Sequence, residues 1–375
     1  MSRILVSLAC LTLISACASL CGPAVPLPET GEKKEKALRN IEITIKDEEN
    51  KTVVLGKYTG TGISPADTAV TDMDGKAIFA GNKPLAAGVY AVMTKNRSLF
   101  DFLIPDTVNQ NFSVSVKKDR KGNYNENLSF EGSAENEALY VRSPVEIPDS
   151  IIQTVDSILS KTGNDTATLN FLTRYILDKY LDRLNDRPKV MGVENVIIHI
   201  IDKYYLTGKA KMNDEKLLGE LAEYANKNRE TLTGKQAADL KMETVGGGAE
   251  SLYDIEAPYI LVCFFDASCF HCRHEIPEVY KIFRRFKNKG LAGFCVYARD
   301  DKKEWMDFLA KHKLTDWINA WDPANLNNYR IAYSVYSVPQ IYVLDRDRKI
   351  VGRGLDSASL EQLLNHLVNN NRYNQ

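Results

Sequence analysis

Hydrophobic and polar positions alternate along the chain from Asn40 to about Glu131. Ile41, Ile43 and Ile45 stand between polar residues. Shorter apolar stretches follow at Val53–Leu55, Ala69–Val70, Ala77–Phe79, Val89–Val92, Phe100–Ile104 and Phe112–Val116. A period of two sends every second side chain to the same face of a sheet. Turn residues separate the stretches, among them Asp74-Gly75 and Ala87-Gly88. Several short strands at regular spacing predict a small antiparallel β-sandwich over 39–133. No catalytic constellation falls within it, and it reads as a binding or spacer module.

The period then becomes helical over 134–233. Asp165-Thr166 is placed to cap a helix that carries Leu169, Leu172, Ile176 and Tyr180 on one side. A second helix is predicted from Val193 to Leu206, with Val196, Ile197, Ile200 and Ile201 apolar. Asn213-Asp214 starts a third, through Leu217, Leu218, Leu221 and Tyr224. His199 lies inside an apolar run, with no second ligand at helical spacing. It reads as a satisfied core histidine rather than a metal ligand. These helices read as a packing or dimerising module. Gly246-Gly247-Gly248 follows as a loop or hinge; it lacks the Lys-Ser or Lys-Thr of a phosphate loop.

A third pattern fills 234–375. Tyr259–Phe265 is apolar throughout, as expected of a strand buried on both faces. Helical spacing follows in Ile276, Val279, Tyr280, Phe283 and Phe286, and Lys289-Gly290 closes it. A second apolar strand runs from Leu291 to Tyr297, and a helix carries Trp305, Phe308 and Leu309. Ser337-Val338-Pro339 precedes a strand from Gln340 to Leu344, a turn at Asp345–Asp347, a strand from Lys349 to Val351, and a last helix from Ala358 to Val368.

Composition narrows the function classes. The 375 residues carry a formal net charge of -1, with acids and bases mixed along the chain. A nucleic-acid surface needs a basic excess, so none is expected. Of seven cysteines, Cys10, Cys17 and Cys21 fall near the start, and Cys263, Cys269, Cys272 and Cys295 fall in one C-terminal stretch. A disulfide-stapled scaffold would spread its cysteines; clustering points to local chemistry.

The start of the chain reads as an export signal. Met1-Ser2-Arg3 precedes a mostly apolar run from Ile4 to Ala16, too short for a membrane span. Ile14-Ser15-Ala16-Cys17 resembles a bacterial lipobox, which implies cleavage before Cys17 and lipidation of its sulfur. The alternative is an ordinary cleavage after Ala16-Cys17-Ala18. Either places the protein outside the cytoplasm, and the lipobox places it in the cell envelope, anchored to a membrane and facing the periplasm. Residues 18–38 read as a tether rich in Pro, Glu and Lys.

Cys269-Phe270-His271-Cys272 carries the candidate chemistry. It lies where the first apolar strand gives way to a helix. At a helix start, unpaired backbone N–H groups and the helix dipole stabilise a thiolate. The thiolate is the attacking species in disulfide exchange. Cys269 is therefore the expected nucleophile. Cys272, one turn further in, is within reach for a disulfide and is the expected resolving thiol. His271 between them would stabilise a thiolate further. Glu275, one turn past Cys272, would raise thiol pKa values and could move protons. The two pull in opposite directions, and reduction and oxidation both stay open. Zinc is the rival reading of a CxxC, but a second ligand pair is missing. No cofactor is expected.

The segment from Gly234 to Val368 resembles the thioredoxin superfamily, and most of all periplasmic, membrane-anchored thioredoxins with the pattern C-x-x-C-x-x-E-x-P. Here that pattern reads Cys269, Cys272, Glu275 and Pro277. The resemblance implies an α/β thioredoxin-like C-terminal domain behind accessory β and helical domains. It implies that Pro339 follows a cis bond facing the active-site cysteines and offers backbone groups to an extended substrate. It implies a reductase of exported protein disulfides, served by a membrane-bound electron donor or acceptor. Two positions depart from the family. Ser268 replaces the aromatic residue before the first cysteine. Cys263 stands where thioredoxins often bury a carboxylate or amide, and Asp266 would replace that group only by turning inward. Cys263 and Cys295 are expected as buried, unreactive thiols. Two further classes compete: a cell-envelope binding scaffold, which would function without either cysteine, and a thiol peroxidase, which would use a lone cysteine.

Overall fold

Alternation in the first part of the chain builds two facing sheets. The structure, a computed structural model, describes residues 38–371 apart from 60–61, 96, 105–109, 119–121, 123, 125–127, 141–144 and 146–149. The predicted export signal, Cys17 and the predicted tether up to residue 37 lie outside the described residues. The strands are β1 (Arg39–Ile45), β2 (Thr52–Thr59), β3 (Gly62–Val70), β4 (Lys76–Gly81), β5 (Gly88–Thr94), β6 (Arg97–Ile104), β7 (Gln110–Val116) and β8 (Leu128–Glu131). One sheet has the order β4-β1-β7-β8 and the other β3-β2-β5-β6. Ile41, Ile43 and Ile45 meet Val53, Leu55, Val92 and Phe102 in the shared core, as period-two patterning requires. The expected all-antiparallel pairing needs one correction: β1 and β7 run parallel. Register alone cannot reveal this, because parallel and antiparallel edges use the same alternation. Gly75, at φ 74°, closes the turn between β3 and β4 where it packs against the end of β1; a Cβ there would stand 2.2 Å from the Ile45 carbonyl oxygen, so only glycine fits.

The helices that follow are α1 (Ala134–Tyr140), α2 (Ser150–Ser160), α3 (Thr166–Arg183), α4 (Val193–Ile200) and α5 (Glu215–Asn228). Asp165 and Asp214 cap α3 and α5 by accepting from the Thr168 and Leu217 amides, the expected N-cap bond. The helix predicted from Val193 to Leu206 runs as α4 and then a π-helical turn, Ile201–Tyr205. α2 lies outside the three predicted helices, although Ile151, Val155, Ile158 and Leu159 are buried at helical spacing. The helices cover the outer face of the second sheet, and Val89 and Leu103 of the sandwich belong to the helical core. Asn136 clamps this junction, accepting from the Leu103 amide and donating to its carbonyl at 2.8 Å each. His199 is satisfied by Asp156 at 2.8 Å, which also accepts from Lys203 and Tyr204.

The C-terminal part contains β9 (Lys241–Thr244), β10 (Ala249–Ser251), β11 (Tyr259–Phe265), α6 (Phe270–Lys287), β12 (Leu291–Tyr297), α7 (Lys302–His312), β13 (Ile318–Trp321), α8 (Tyr329–Ala332), β14 (Gln340–Asp345), β15 (Ile350–Arg353) and α9 (Ser357–Asn371). They form one sheet of order β10-β9-β13-β12-β11-β14-β15. All seven residues of β11 are buried. Leu261, Cys263 and Phe265 pack under α6, and Ile260, Val262 and Phe264 pack on the opposite side. Three strands lie outside the predicted set. β13 is only four residues long, and β9 and β10 form a hairpin whose tip is the Gly246-Gly247-Gly248 stretch. That glycine run is a turn at the sheet edge rather than a hinge.

The described residues from 38 to 371 form one compact unit. Val145 and Met191, from the region between the sandwich and β9, are part of the core beneath α6. Among the described residues no helix is long and apolar enough to cross a membrane.

Candidate functional site

The candidate site forms where β11 ends and α6 begins, at the carboxyl end of a central strand. Asp266 shapes the connection. Its carboxylate accepts from the Ser268 amide and hydroxyl at 2.7 Å each, and Arg299 approaches its other oxygen at 3.3 Å. The Cys269 amide donates to the Asp266 carbonyl at 3.2 Å. These bonds hold the loop tight before the helix. They also engage Asp266 with the loop, so it does not substitute for a carboxylate beneath the thiols.

Cys269 is the N-cap residue of α6, in extended conformation, and is partly exposed. Its Sγ lies 3.6 Å from the Val338 carbonyl oxygen. Val338–Pro339 is a cis peptide. The structure therefore brings together Cys269 and the segment ending in Pro339, which are far apart in sequence.

Cys272 is fully buried, in the first turn of α6. Burial pushes its thiol well up, and the adjoining Cys269 and Cys263 push it the same way; a backbone hydrogen bond at Asp266 pulls it down. The cause is simple: an apolar core disfavours the thiolate. One face of the pair thus meets solvent and the other meets the core. The four C-terminal cysteines are unbridged. Cys263 and Cys295 stand opposite each other in the β11–β12 register, and burial and the neighbouring Cys263 raise the Cys295 thiol well above its ordinary value.

His271 and Glu275 are placed differently from each other. His271 is exposed, its ring edge-on to Phe270. Glu275 is half-buried and accepts from the Ser357 amide at the start of α9. The carboxylate expected to tune the thiols is thus occupied as a helix cap. Spacing placed it one turn from Cys272 but could not show the partner, which is distant in sequence. The Asp266–Ser268–Arg299 network was also missed. Its one local signal was the Asp-x-Ser order, typical of a side-chain-stabilised turn. Among the described residues no group of three or more His, Cys, Asp or Glu gathers to hold a metal.

The AhpC/TSA family matches residues 233–353, and a domain of unknown function, DUF4369, matches residues 40–139. The thioredoxin-like protein YneN of Bacillus subtilis (strain 168) is 30% identical over 125 residues, spanning 32% of this chain and 71% of that protein. The chain belongs to the thioredoxin superfamily. A second relative of this thioredoxin-like protein is the thiol-disulfide oxidoreductase ResA of Bacillus cereus, 22% identical over 36% of the chain and 76% of that protein. Among solved structures, a domain of a possible thiol-disulfide isomerase from Cytophaga hutchinsonii ATCC 33406 is 30% identical. It covers 39% of this chain and 99% of that one, with a TM-score of 0.36.

Proposed function

We propose that this protein is a thiol–disulfide oxidoreductase of the cell envelope that reduces disulfides in other exported proteins. One observation carries the reading: a partly exposed Cys269 at the start of α6 sits beside a fully buried Cys272. The Cys269 thiolate attacks a substrate sulfur, forming a mixed disulfide and releasing one substrate thiolate. The Cys272 thiolate then attacks Cys269 Sγ, closing the Cys269–Cys272 disulfide and releasing the second substrate thiol. Two electrons pass to the substrate, and a membrane-bound donor returns them. Only an exposed thiol can meet a protein disulfide, and only a neighbouring one can resolve it quickly. The Val338 carbonyl and Pro339 lie where an extended substrate strand would pass. One relative named a thiol-disulfide oxidoreductase supports the chemistry, and the signal-like apolar run with the lipobox-like Ile14-Ser15-Ala16-Cys17 supports the location and lipid anchor.

The test is the reduction potential of the Cys269–Cys272 pair, titrated in glutathione buffers. A value near that of thioredoxin, about -270 mV, supports reduction; one near about -120 mV makes the protein a disulfide-forming oxidase, with exposed His271 as the group to examine. Absence of any exchangeable disulfide sinks the proposal and leaves a binding scaffold.

A further inference from the structure

The helical module does not merely precede the redox domain; it touches the segments that present both thiols. Two separate paths lead from it to the site. The first begins at the end of α5. The Ser334 hydroxyl donates to the Lys227 carbonyl, and Ser334 shares a 3.3 Å hydroxyl contact with Thr231. Ser334 is 5% exposed, so this contact lies inside the protein. The Lys227 ammonium stands 5.3 Å from the centre of the Tyr336 ring, a cation–π distance. Ser334 and Tyr336 open the short segment that ends in Val338, whose carbonyl faces Cys269.

The second path begins between α3 and α4. The Lys189 amide donates to the Ser359 hydroxyl at 2.8 Å, and Arg187 pairs with Asp356 at 3.3 Å. Both partners belong to the first turn of α9 or its approach. The same turn donates the Ser357 amide to Glu275, one turn beyond Cys272. The junction between module and redox domain is also charged and buried: Arg353, 7% exposed, meets Glu194 at 3.2 Å and Asn228 at 2.6 Å. Removing one partner of such a pair leaves a buried charge uncompensated, so the two parts are held in one relative position.

We propose that the helical module is a positioning element of the redox site, acting through Ser334, with Thr231 and Lys227 as its anchors, on the segment that carries the Val338 carbonyl to Cys269. This inference rests on the disulfide-exchange reading and extends it: residues remote in sequence from the cysteines set the environment of the attacking thiol. A shift of a fraction of an ångström in that carbonyl changes how the thiolate, the mixed disulfide and the closed disulfide are each solvated. The equilibrium and the reactivity should therefore respond to Ser334, although it contacts neither thiol.

The experiment uses the full chain with Ser334→Ala, Thr231→Val, the conservative Thr231→Ser, and Asp165→Ala as a control. Asp165 caps α3 within the same module, and its carboxylate accepts from Thr168 of that helix. Two quantities are read: the exchange constant of the Cys269–Cys272 pair with glutathione, and the alkylation rate of Cys269 in the reduced protein. Ser334→Ala and Thr231→Val should shift both by about threefold or more, as small displacements near reacting atoms do. Thr231→Ser and Asp165→Ala should keep wild-type values. Wild-type values in Ser334→Ala and Thr231→Val overturn the proposal, and so does an equal shift in Asp165→Ala, which would mean general loosening. Should Ser334→Ala fail to fold, Lys227→Met, which removes the cation over Tyr336 and its exposed ion pair with Glu223 but keeps the Lys227 carbonyl, takes its place with the same expected shift, and Glu223→Gln, which removes the ion pair alone, should keep wild-type values. Should the wild type form no exchangeable disulfide, the exchange reading falls, while the alkylation rates still decide the positioning role.

Discussion

Two buried titratable groups, one in the sandwich and one in the thioredoxin-like domain, are handled in opposite ways. Glu48 lies in the sandwich with its side chain 6% exposed. Burial pushes its carboxyl up, but hydrogen bonds from Lys51 and Tyr124 and the charges of Lys51 and Arg97 outweigh that effect and hold it below its ordinary value. Lys51 stands at 2.8 Å and Arg97 at 3.0 Å. Cys272, fully buried, has apolar residues and other thiols around it instead, and its thiol is pushed up. A buried acid whose charge is neutralised by partners is settled structure. A buried thiol without a counter-charge is costly to ionise, and once ionised it is a strong nucleophile. The first arrangement supports a module without chemistry, and the second supports a site that reacts.

The comparison breaks first at the cysteines. Cys269→Ala should remove reduction of a protein disulfide by about 10³-fold or more. Cys272→Ala should leave the first attack intact and accumulate a mixed disulfide, visible by mass spectrometry as a covalent adduct on Cys269. An intact turnover in Cys269→Ala would assign the chemistry elsewhere.

Glu48→Ala comes next, on stability rather than chemistry. Loss of the partnered carboxylate should cost about 1–3 kcal/mol in urea unfolding and leave the exchange constant at the wild-type value. The pH dependence follows from the sign of the shift. With its folded pKa depressed below the ordinary 4.5, Glu48 adds stability above that value. That stability is lost as pH falls through the depressed pKa. The wild-type advantage over Glu48→Ala should thus be full at neutral pH and shrink on acidification. An advantage that grows towards low pH contradicts the assignment.

A smaller effect is expected at Glu275. As the acceptor for the Ser357 amide, it should tolerate Gln, whose oxygen can still accept, while Glu275→Ala should cost about 1 kcal/mol, like the loss of a helix cap. A proton shuttle would show the reverse pattern, with Glu275→Gln flattening the pH–rate profile. The smallest effect belongs to His271. Its exposure leaves little reach into the core, so His271→Ala should make the disulfide less oxidising by no more than about threefold in the exchange constant. A tenfold change would make it a principal tuning group.

Much of this protein was legible in the chain because its signals are local. Alternation at Ile41, Ile43 and Ile45 requires one buried sheet face, and the unbroken apolar run at 259–265 requires a strand covered on both sides. Cap residues Asp165 and Asp214 marked two helix starts, and the CxxC at a strand-to-helix junction marked the thiols. These features depend on periods of two and 3.6 residues and on bonds spanning a few positions. What the tertiary structure decided was every partner distant in sequence. The parallel pairing of β1 with β7 is such a case. So are the short strand β13, whose partners define it, the Val338 carbonyl against Cys269, the Ser357 amide that occupies Glu275, and the Ser334 link to α5. Asp266 belongs to both groups: its spacing to Ser268 forms the turn, but whether its carboxylate faced the thiols or the loop depended on Arg299 arriving from the end of β12. Sequence spacing sets which side chains can lie near one another along an element; only chain folding selects which of many possible distant groups satisfies each one.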